Sequence, residues 1–371
     1  MHIVHIAGAL MGGPLSAITE WTRLQVKAGH RVSLIYSPLR DPVESFRAAL
    51  PAEVALYPLD MRRDIHPIAD FRATRATAKL LRSLHPDIVH MHSSKAGALG
   101  RIAAWLTHTP SVYSPHGLAY LRTDVGILTR AFYFMLEWLL GLAGTVTVAC
   151  SPSELEAMRS IPGAKTFIPN GIDFAALRPA TAITARTKLR IVLCGRITAQ
   201  KNPLLACAIA QASPPDWHWA WLGDGDMRDS VEHAGRIEVL GWTPRSEALD
   251  RLSASDVMVT TSSWEGMPIA VLEAMALGLP VVATDAVGNR DLIRSGENGF
   301  IATDVAGFLR ALNCLAQSPE LRRAMGEAGR QRVLNEYDQD KLGARWINLY
   351  ARLCAKSEHP VSPATPYRAT P

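Results

Sequence analysis

Asp256-Val-Met-Val-Thr-Thr-Ser-Ser-Trp-Glu-Gly-Met-Pro-Ile-Ala-Val-Leu-Glu-Ala-Met-Ala276 is the stretch that decides the fold. Residues 256–260 read as a short buried strand, Ser262-Ser263 as the turn, and 268–276 as a helix. Pro268 suits a first helical turn, where its missing N–H is not needed. Strand, short loop and helix in that order form one unit of parallel α/β construction. The helix start aims free backbone amides past the strand end, a place that favours an anion. Glu265 can face that place from the loop, and Glu273 lies about 7.5 Å along the helix at ~1.5 Å per residue. Two carboxylates flanking an anion-friendly helix start suit a ligand with a diphosphate in its middle and hydroxyls at both ends. A nucleotide sugar has that shape.

The same alternation extends both ways along the chain. Short apolar runs at 3–7, 31–36, 87–92, 111–114 and 145–149 read as strands, with helical patterns such as 15–29 and 68–84 between them. Leu177-Arg-Pro-Ala-Thr-Ala-Ile-Thr-Ala185 has no clear period and reads as a linker. The pattern then restarts, with strands at 190–194, 218–222, 236–240, 256–260 and 280–284 and helices near 202–211, 245–254, 268–276 and 320–336. The expectation is two successive open sheets: a first domain over 1–178 and a second over 186–337. A helix over 338–356 packs back on the first, and a tail over 357–371, rich in Pro, Ser, Thr and Ala, is expected to be disordered. Ligands of such sheets bind beyond the carboxyl ends of the strands, so two facing sheets would share a cleft.

Length and composition agree. At 371 residues the chain is too long for one ordinary core. With 48% apolar and 20% charged residues it is an ordinary globular chain. A net charge of +5 with no basic stripe among exposed aromatics excludes a nucleic-acid footprint and fits an anionic ligand or membrane face better. The five scattered cysteines form no CxxC pair, which supports neither zinc nor a disulfide framework and suggests a reducing, cytoplasmic setting. Met1-His-Ile-Val-His-Ile6 enters a strand directly, without the features of a signal peptide. No apolar run reaches the eighteen residues or so of a spanning helix.

Several strand-end loops carry candidate chemistry. Gly12-Gly13 follows the first strand and lets backbone approach a ligand, or simply makes a tight turn. Gly8, Gly12 and Gly13 do not space as a dinucleotide fingerprint, which disfavours a nicotinamide enzyme. Gly223-Asp-Gly225 lacks the ligand series of a calcium loop and reads as a turn. Gly195-Arg196 and Lys201-Asn202 put two cations five residues apart, able to converge on one diphosphate or to remain solvated surface charges. His116, held between Pro115 and Gly117 at the end of the fourth strand, points out of the sheet and is either a sugar contact or a structural histidine. His92 and Ser93-Ser-Lys95 are similar but weaker candidates. Trp217, Trp219 and Trp221 alternate with period two and read as a core face, whereas Trp264 can wall the cleft. Residues 127–140 are apolar almost all round and read either as a buried helix or as one resting on a membrane surface.

In their order and separations these loops resemble the family 4 retaining glycosyltransferases of the GT-B fold, in the bacterial branch that builds surface polysaccharides. The carriers are Gly12-Gly13, Ser114-Pro-His-Gly117, Ile168-Pro-Asn-Gly-Ile-Asp173, Gly195-Arg196 with Lys201-Asn202, Leu222-Gly-Asp-Gly225, Glu265 to Glu273, and Gly278-Leu-Pro-Val-Val-Ala283. The resemblance spans residues 1 to 350 or so and implies two Rossmann-like, doubly wound parallel-sheet domains facing a central cleft. It implies that Arg196 and Lys201 neutralise the donor diphosphate, Glu273 binds ribose and Glu265 binds the donor sugar. His116 would contact that sugar from the first domain. Gly12, Gly13, Asn170, Gly195, Gly266, Met267 and Ile269 would complete the donor site. No metal and no cofactor beyond the nucleotide-sugar co-substrate is implied. Gly288-Asn-Arg-Asp-Leu-Ile293 departs from many relatives, which carry a Gly-rich turn ending in Glu there. Together with His92-Ser-Ser-Lys-Ala-Gly97 it favours a UDP-sugar donor, with GDP-mannose as competitor. A lipid-linked glycan acceptor at the cytoplasmic membrane face would then be the partner. The alternatives are a non-catalytic nucleotide-sugar-binding protein and a non-hydrolysing UDP-sugar epimerase of the same architecture.

Overall fold

The computed structural model describes residues 1–10, 12–39, 43–174, 177 and 188–358. The linker expected over 177–185 therefore lies, beyond Leu177, outside the described residues, as does the tail from residue 359.

The first lobe contains strands β1 (His2–Ala7), β2 (Arg31–Tyr36), β3 (Ala55–Pro58), β4 (Ile88–His92), β5 (Ser111–Ser114), β6 (Val146–Ala149) and β7 (Lys165–Phe167). Its helices are α1 (Gly13–Lys27), α2 (Pro67–Leu84), α3 (Ser93–Thr107), α4 (Ile127–Gly141) and α5 (Pro152–Ala157). The second lobe holds β8 (Arg190–Cys194), β9 (His218–Leu222), β10 (Glu238–Gly241), β11 (Val257–Thr260), β12 (Val281–Thr284) and β13 (Gly299–Ala302). Around them lie α6 (Pro203–Ala212), α7 (Arg228–Ala234), α8 (Arg245–Ser253), α9 (Ile269–Ala276), α10 (Asn289–Leu292), α11 (Val305–Gln317) and α12 (Pro319–Glu336). The long α13 (Gln339–Glu358) comes last.

The sheets run β3-β2-β1-β4-β5-β6-β7 and β10-β9-β8-β11-β12-β13, and the strand pairings are parallel. Strands covered on both faces must be apolar on both, which is why Ile191-Val-Leu193 and Val257-Met-Val259 are continuous apolar runs. Each order reverses beside its first strand, between β1 and β4 and between β8 and β11. A crevice opens at the strand ends at such a point.

Core packing fixes the helices around these crevices. In the second lobe, Trp217, Trp219 and Trp221 are buried in one cluster with Ile191, Val259 and Phe308. The opposite face packs Met258 and Val281 against Leu272 and Met275 of α9 and Val333 of α12. The C-terminal helix α13 leaves that lobe and buries Leu342, Trp346, Leu349 and Tyr350 against Ile3, Ile88 and Trp21 of the first. Gly343 lets the two helices approach closely there, because a Cβ would sit 2.4 Å from Leu24 Cδ1 and force that side chain to move.

Three short strands carry no sequence signal of the kind read above. β3 and β7 lie at sheet edges and β13 closes the second sheet, each three or four residues long with mixed burial. Helix α4 corrects the buried-helix reading of 127–140. Only Glu137, Leu140 and Gly141 are buried, and Ile127 and Leu128 are 78% and 84% exposed. Pro268 is the cap residue with extended backbone, one position earlier than a first-turn proline.

Candidate functional site

A cleft of about 970 Å³ lies between the lobes, lined by the loops after β1, β4 and β5 on one side and β8, β9 and β11 on the other. Its size is at the upper end for small-ligand sites. All twelve residues expected at the site, from Gly12, Gly13, His116 and Asn170 through Gly195, Arg196 and Lys201 to Glu265, Gly266, Met267, Ile269 and Glu273, line it.

Two helix tips meet in this cleft. Gly12 caps α1 at φ 59° and ψ −137°, backbone angles that side chains other than hydrogen rarely allow. A Cβ on Gly13 would lie 4.0 Å from Ile269 Cδ1, so the start of α1 faces the start of α9. In α9 the first amides bonded to a carbonyl are those of Val271 and Leu272, both to Pro268. The amides before them are the unsatisfied donors of a helix start, and they carry its positive dipole end.

The second lobe supplies the charges. Lys201 Nζ lies 2.7 Å from Glu265 Oε1, with the two side chains 18% and 9% exposed. Gln200 Nε2 donates to the Trp264 carbonyl at 3.0 Å and reaches Glu265 Oε2 at 3.4 Å. Lys201 is thus tied to Glu265 rather than standing free beside Arg196, which is exposed along the cleft. The stem of Lys201 lies over Gly195, where a Cβ would come within 2.8 Å of Cε. Gly195 is itself fixed by Trp221, whose indole N–H donates to its carbonyl at 2.9 Å. Gly223 packs so closely on this loop that a Cβ would meet Gly195 O at 2.2 Å, which accounts for the Gly223-Asp-Gly225 turn without a bound ion.

Glu273 sits at the other end of the α9 turn and accepts from Arg245 Nε at 2.8 Å. Burial pushes its carboxyl upward, and the Arg245 charge opposes that push. Arg245 opens α8 in a polar stretch and carries no sequence signal of its role.

The first lobe contributes His116, at φ 55° in the left-handed region, with Gly117 at φ 105° after it. Gly117 N–H donates to Glu154 Oε1 at 2.8 Å, and Cys150 N–H donates to Glu154 Oε2 at 2.7 Å. Glu154 is fully buried, its carboxyl raised by burial. It orients the turn that holds His116, a role no motif announced. The lobes touch here: a Cβ on Gly266 would lie 2.7 Å from both Gly117 N and Cys150 Sγ. Asn170 Nδ2 donates across the gap to Met267 O at 3.1 Å, so its amide braces the loop as well as lining the cleft. A second brace joins Ser153 of α5 to Asp291, with Gly288 N–H donating to Ser153 Oγ at 3.0 Å. The departure at Gly288–Ile293 is therefore a contact between lobes.

Burial pushes His116 down to about 4, so it is neutral near pH 7. His92 lies 3.2 Å away through its Nδ1. Lys95 also lines the cleft but is held by Asp70 at 2.6 Å and donates to Asp64 O at 2.8 Å.

Two doubly wound lobes closing on helix tips, cations and carboxylates define the GT-B architecture. Residues 11–176 match the model of glycosyltransferase family 4, and residues 188–318 match that of glycosyl transferases group 1. The chain is 30% identical over 320 residues to the UDP-Gal:alpha-D-GlcNAc-diphosphoundecaprenol alpha-1,3-galactosyltransferase of Escherichia coli, covering 78% of this chain and 81% of that one. It is 27% identical over 307 residues, 75% of this chain and 80% of the other, to the putative glycosyltransferase EpsD of Bacillus subtilis. Anabaena Alr3699/HepE, solved in complex with UDP and glucose, superposes with a TM-score of 0.79 at 17% identity, covering 95% of this chain and 100% of that one. The chain belongs to glycosyltransferase family 4.

Proposed function

We propose that this glycosyltransferase moves a hexose or N-acetylhexosamine from a UDP-sugar to a lipid-linked glycan, with retention of anomeric configuration and without a metal ion. The observation that carries the reading is the placement of Lys201, Arg196, Glu265 and the α9 tip opposite His116 across one cleft. The name of the E. coli relative supports both the UDP-sugar and the lipid-linked acceptor.

In this reading the diphosphate sits over the α9 amides, with Lys201 and Arg196 taking its charge. That is the task a metal performs in other transferases. Glu273, steadied by Arg245, accepts from the ribose hydroxyls. Glu265 and His116 hold the sugar from opposite lobes. Retention by double displacement needs a carboxylate free to attack. Glu265 is engaged by Lys201 and Gln200, so it serves binding better than attack. The acceptor hydroxyl then attacks the face from which the phosphate leaves. Its oxygen bonds to the anomeric carbon, the carbon–phosphate oxygen bond breaks, and the departing diphosphate takes the hydroxyl proton.

The acceptor's lipid gives a purpose to the apolar outside of α4. Ile127, Leu128, Met135, Leu139 and Leu142 are all more than half exposed, and Phe132 and Leu136 of the same helix line the cleft. No helix among the described residues is long and apolar enough to cross a membrane. The proposal is that α4 rests on the membrane surface and brings the cleft to the carrier.

The test is transfer of radiolabelled sugar from UDP-galactose, UDP-glucose and UDP-N-acetylglucosamine to a polyprenyl-diphosphate-linked N-acetylglucosamine, with GDP-mannose in parallel. One UDP-sugar should give product that Glu265→Ala abolishes. Equal product from wild type and variant, or transfer from GDP-mannose alone, would overturn the reading.

A further inference from the structure

His116 is the outer end of a buried row of imidazoles that the reaction as described leaves unused. In the parallel register His5 of β1 stands beside His90 of β4, and His92 follows two residues on, so all three project from one sheet face. Each is fully buried. Trp21 and Gln25 of α1 cover them from one side and Trp346 and Tyr350 of α13 from the other. His116 Nε2 lies 3.2 Å from His92 Nδ1, His92 Nε2 lies 2.9 Å from His5 Nδ1, and His5 Nε2 lies 2.8 Å from Gln25 Oε1. Beside this row, His90 bonds Tyr350 Oη at 2.7 Å and Ser114 Oγ at 2.9 Å. His5, His90 and His92 are close enough together to suggest a metal site. However, these hydrogen bonds already occupy all six of their ring nitrogens.

A neutral imidazole has one donor and one acceptor nitrogen, so a row of neutral rings can run in only one of two directions. Burial lowers all four histidines, His5 and His116 to about 4, so the rings are neutral at physiological pH. The direction is set at the inner end. The Gln25 oxygen can only accept, which places the His5 proton on Nε2 and leaves Nδ1 to accept from His92 Nε2–H. His92 Nδ1 must then accept from His116 Nε2–H. The other end of the Gln25 amide, Nε2, is buried and makes no hydrogen bond of normal geometry, though it lies near enough to the Tyr350 oxygen to oppose the rise that burial imposes on the phenol.

We propose that Gln25, acting through His5 and His92, is a positioning residue that fixes His116 with its proton on Nε2 and its bare Nδ1 turned to the cleft. His116 then accepts a hydrogen bond from a hydroxyl of the donor sugar. The sugar contact rests on the function proposed above; the direction of the row does not.

Selective 15N labelling of histidine reads the tautomer directly, with the His116 signals assigned by their loss in His116→Asn. Wild type should give the Nε2–H pattern for His116. Gln25→Leu, of similar volume, removes the fixed acceptor and should give a mixture of tautomers. It should also lower kcat/KM for the UDP-sugar roughly tenfold, the scale of one hydrogen bond, while UDP alone binds as before. Gln25→Glu keeps an acceptor at the same place and should restore the Nε2–H pattern and activity. An Nδ1–H pattern for His116 in the wild type overturns the proposal whatever the variants do. So does an unchanged pattern in a folded Gln25→Leu. If the protein transfers no sugar at all, the proposed function fails while the ring signals still decide the direction of the row.

Discussion

Removing Lys201 tests the charge arrangement most severely, because two consequences follow from one side chain. Lys201→Met leaves Glu265, 9% exposed, without its cation at 2.7 Å. Breaking a buried pair from one side costs about 3 kcal/mol. The 18% exposure of Lys201 shows that water reaches the pair, so the lower end of that range applies. At about 2–4 °C per kcal/mol for a lobe of this size, the melting temperature should fall by about 6–12 °C. The second consequence concerns binding. Losing one charge-assisted hydrogen bond of about 1.5–3 kcal/mol should weaken UDP roughly 10- to 150-fold. Glu265→Gln separates the two, because the amide oxygen still accepts from Lys201 and the cation stays in place. UDP should bind at least as tightly as in wild type, while sugar transfer falls about a hundredfold. The double variant should recover about 1–2 kcal/mol over Lys201→Met alone, since no uncompensated charge remains. Calorimetric titration with UDP and thermal unfolding of the four proteins complete the cycle. Wild-type affinity for UDP in Lys201→Met would refute the assignment of Lys201 to the diphosphate.

Three further outcomes follow from the geometry. Arg245→Ala removes the charge that opposes the upward shift of Glu273. The loss of UDP affinity on acidification should then begin at higher pH, and an unchanged acid limb would contradict the ribose role. His5 is about 4 in the fold against 6.5 when unfolded, so the unfolded chain binds the extra proton first. Its contribution to stability is complete above pH 6.5 and is lost as pH falls toward 4, at about 1.4 kcal/mol per pH unit. Urea midpoints at pH 7.5 and 5.5 should differ less in His5→Gln than in wild type. Ile127→Ser with Leu128→Ser changes two side chains that are mostly exposed. It should leave melting unchanged and lower co-sedimentation with anionic vesicles, whereas wild-type binding by this variant would remove α4 as the membrane surface.

Much of the architecture was legible because parallel strands buried on both faces are short, continuous apolar runs. The strands at 31–36, 111–114, 190–194 and 218–222 match the observed bounds. The omissions have physical causes. The edge strand Lys165–Phe167 has one exposed flank and too few apolar residues to register. Helix α3 contains Gly97 and Gly100, poor helix formers, because a Cβ would meet the Tyr113 ring at 2.2 Å and Met91 at 2.5 Å. The expected site residues sit at strand ends, where chain order alone brings them to one cleft. Their partners do not follow from chain order. Arg245 reaches Glu273 from another helix, Glu154 fixes the His116 turn from 37 residues away, and His5 meets His92 only through sheet register.

The central claim is that one cleft holds a nucleotide sugar between the lobes, and a crystal soaked with UDP examines it most directly. The account predicts diphosphate density over the start of α9 within reach of Lys201 and Arg196, with the ribose on Glu273 and the open end of the ligand toward His116. UDP bound elsewhere, or an empty cleft in crystals of protein that transfers sugar from the same UDP-linked donor, would contradict it.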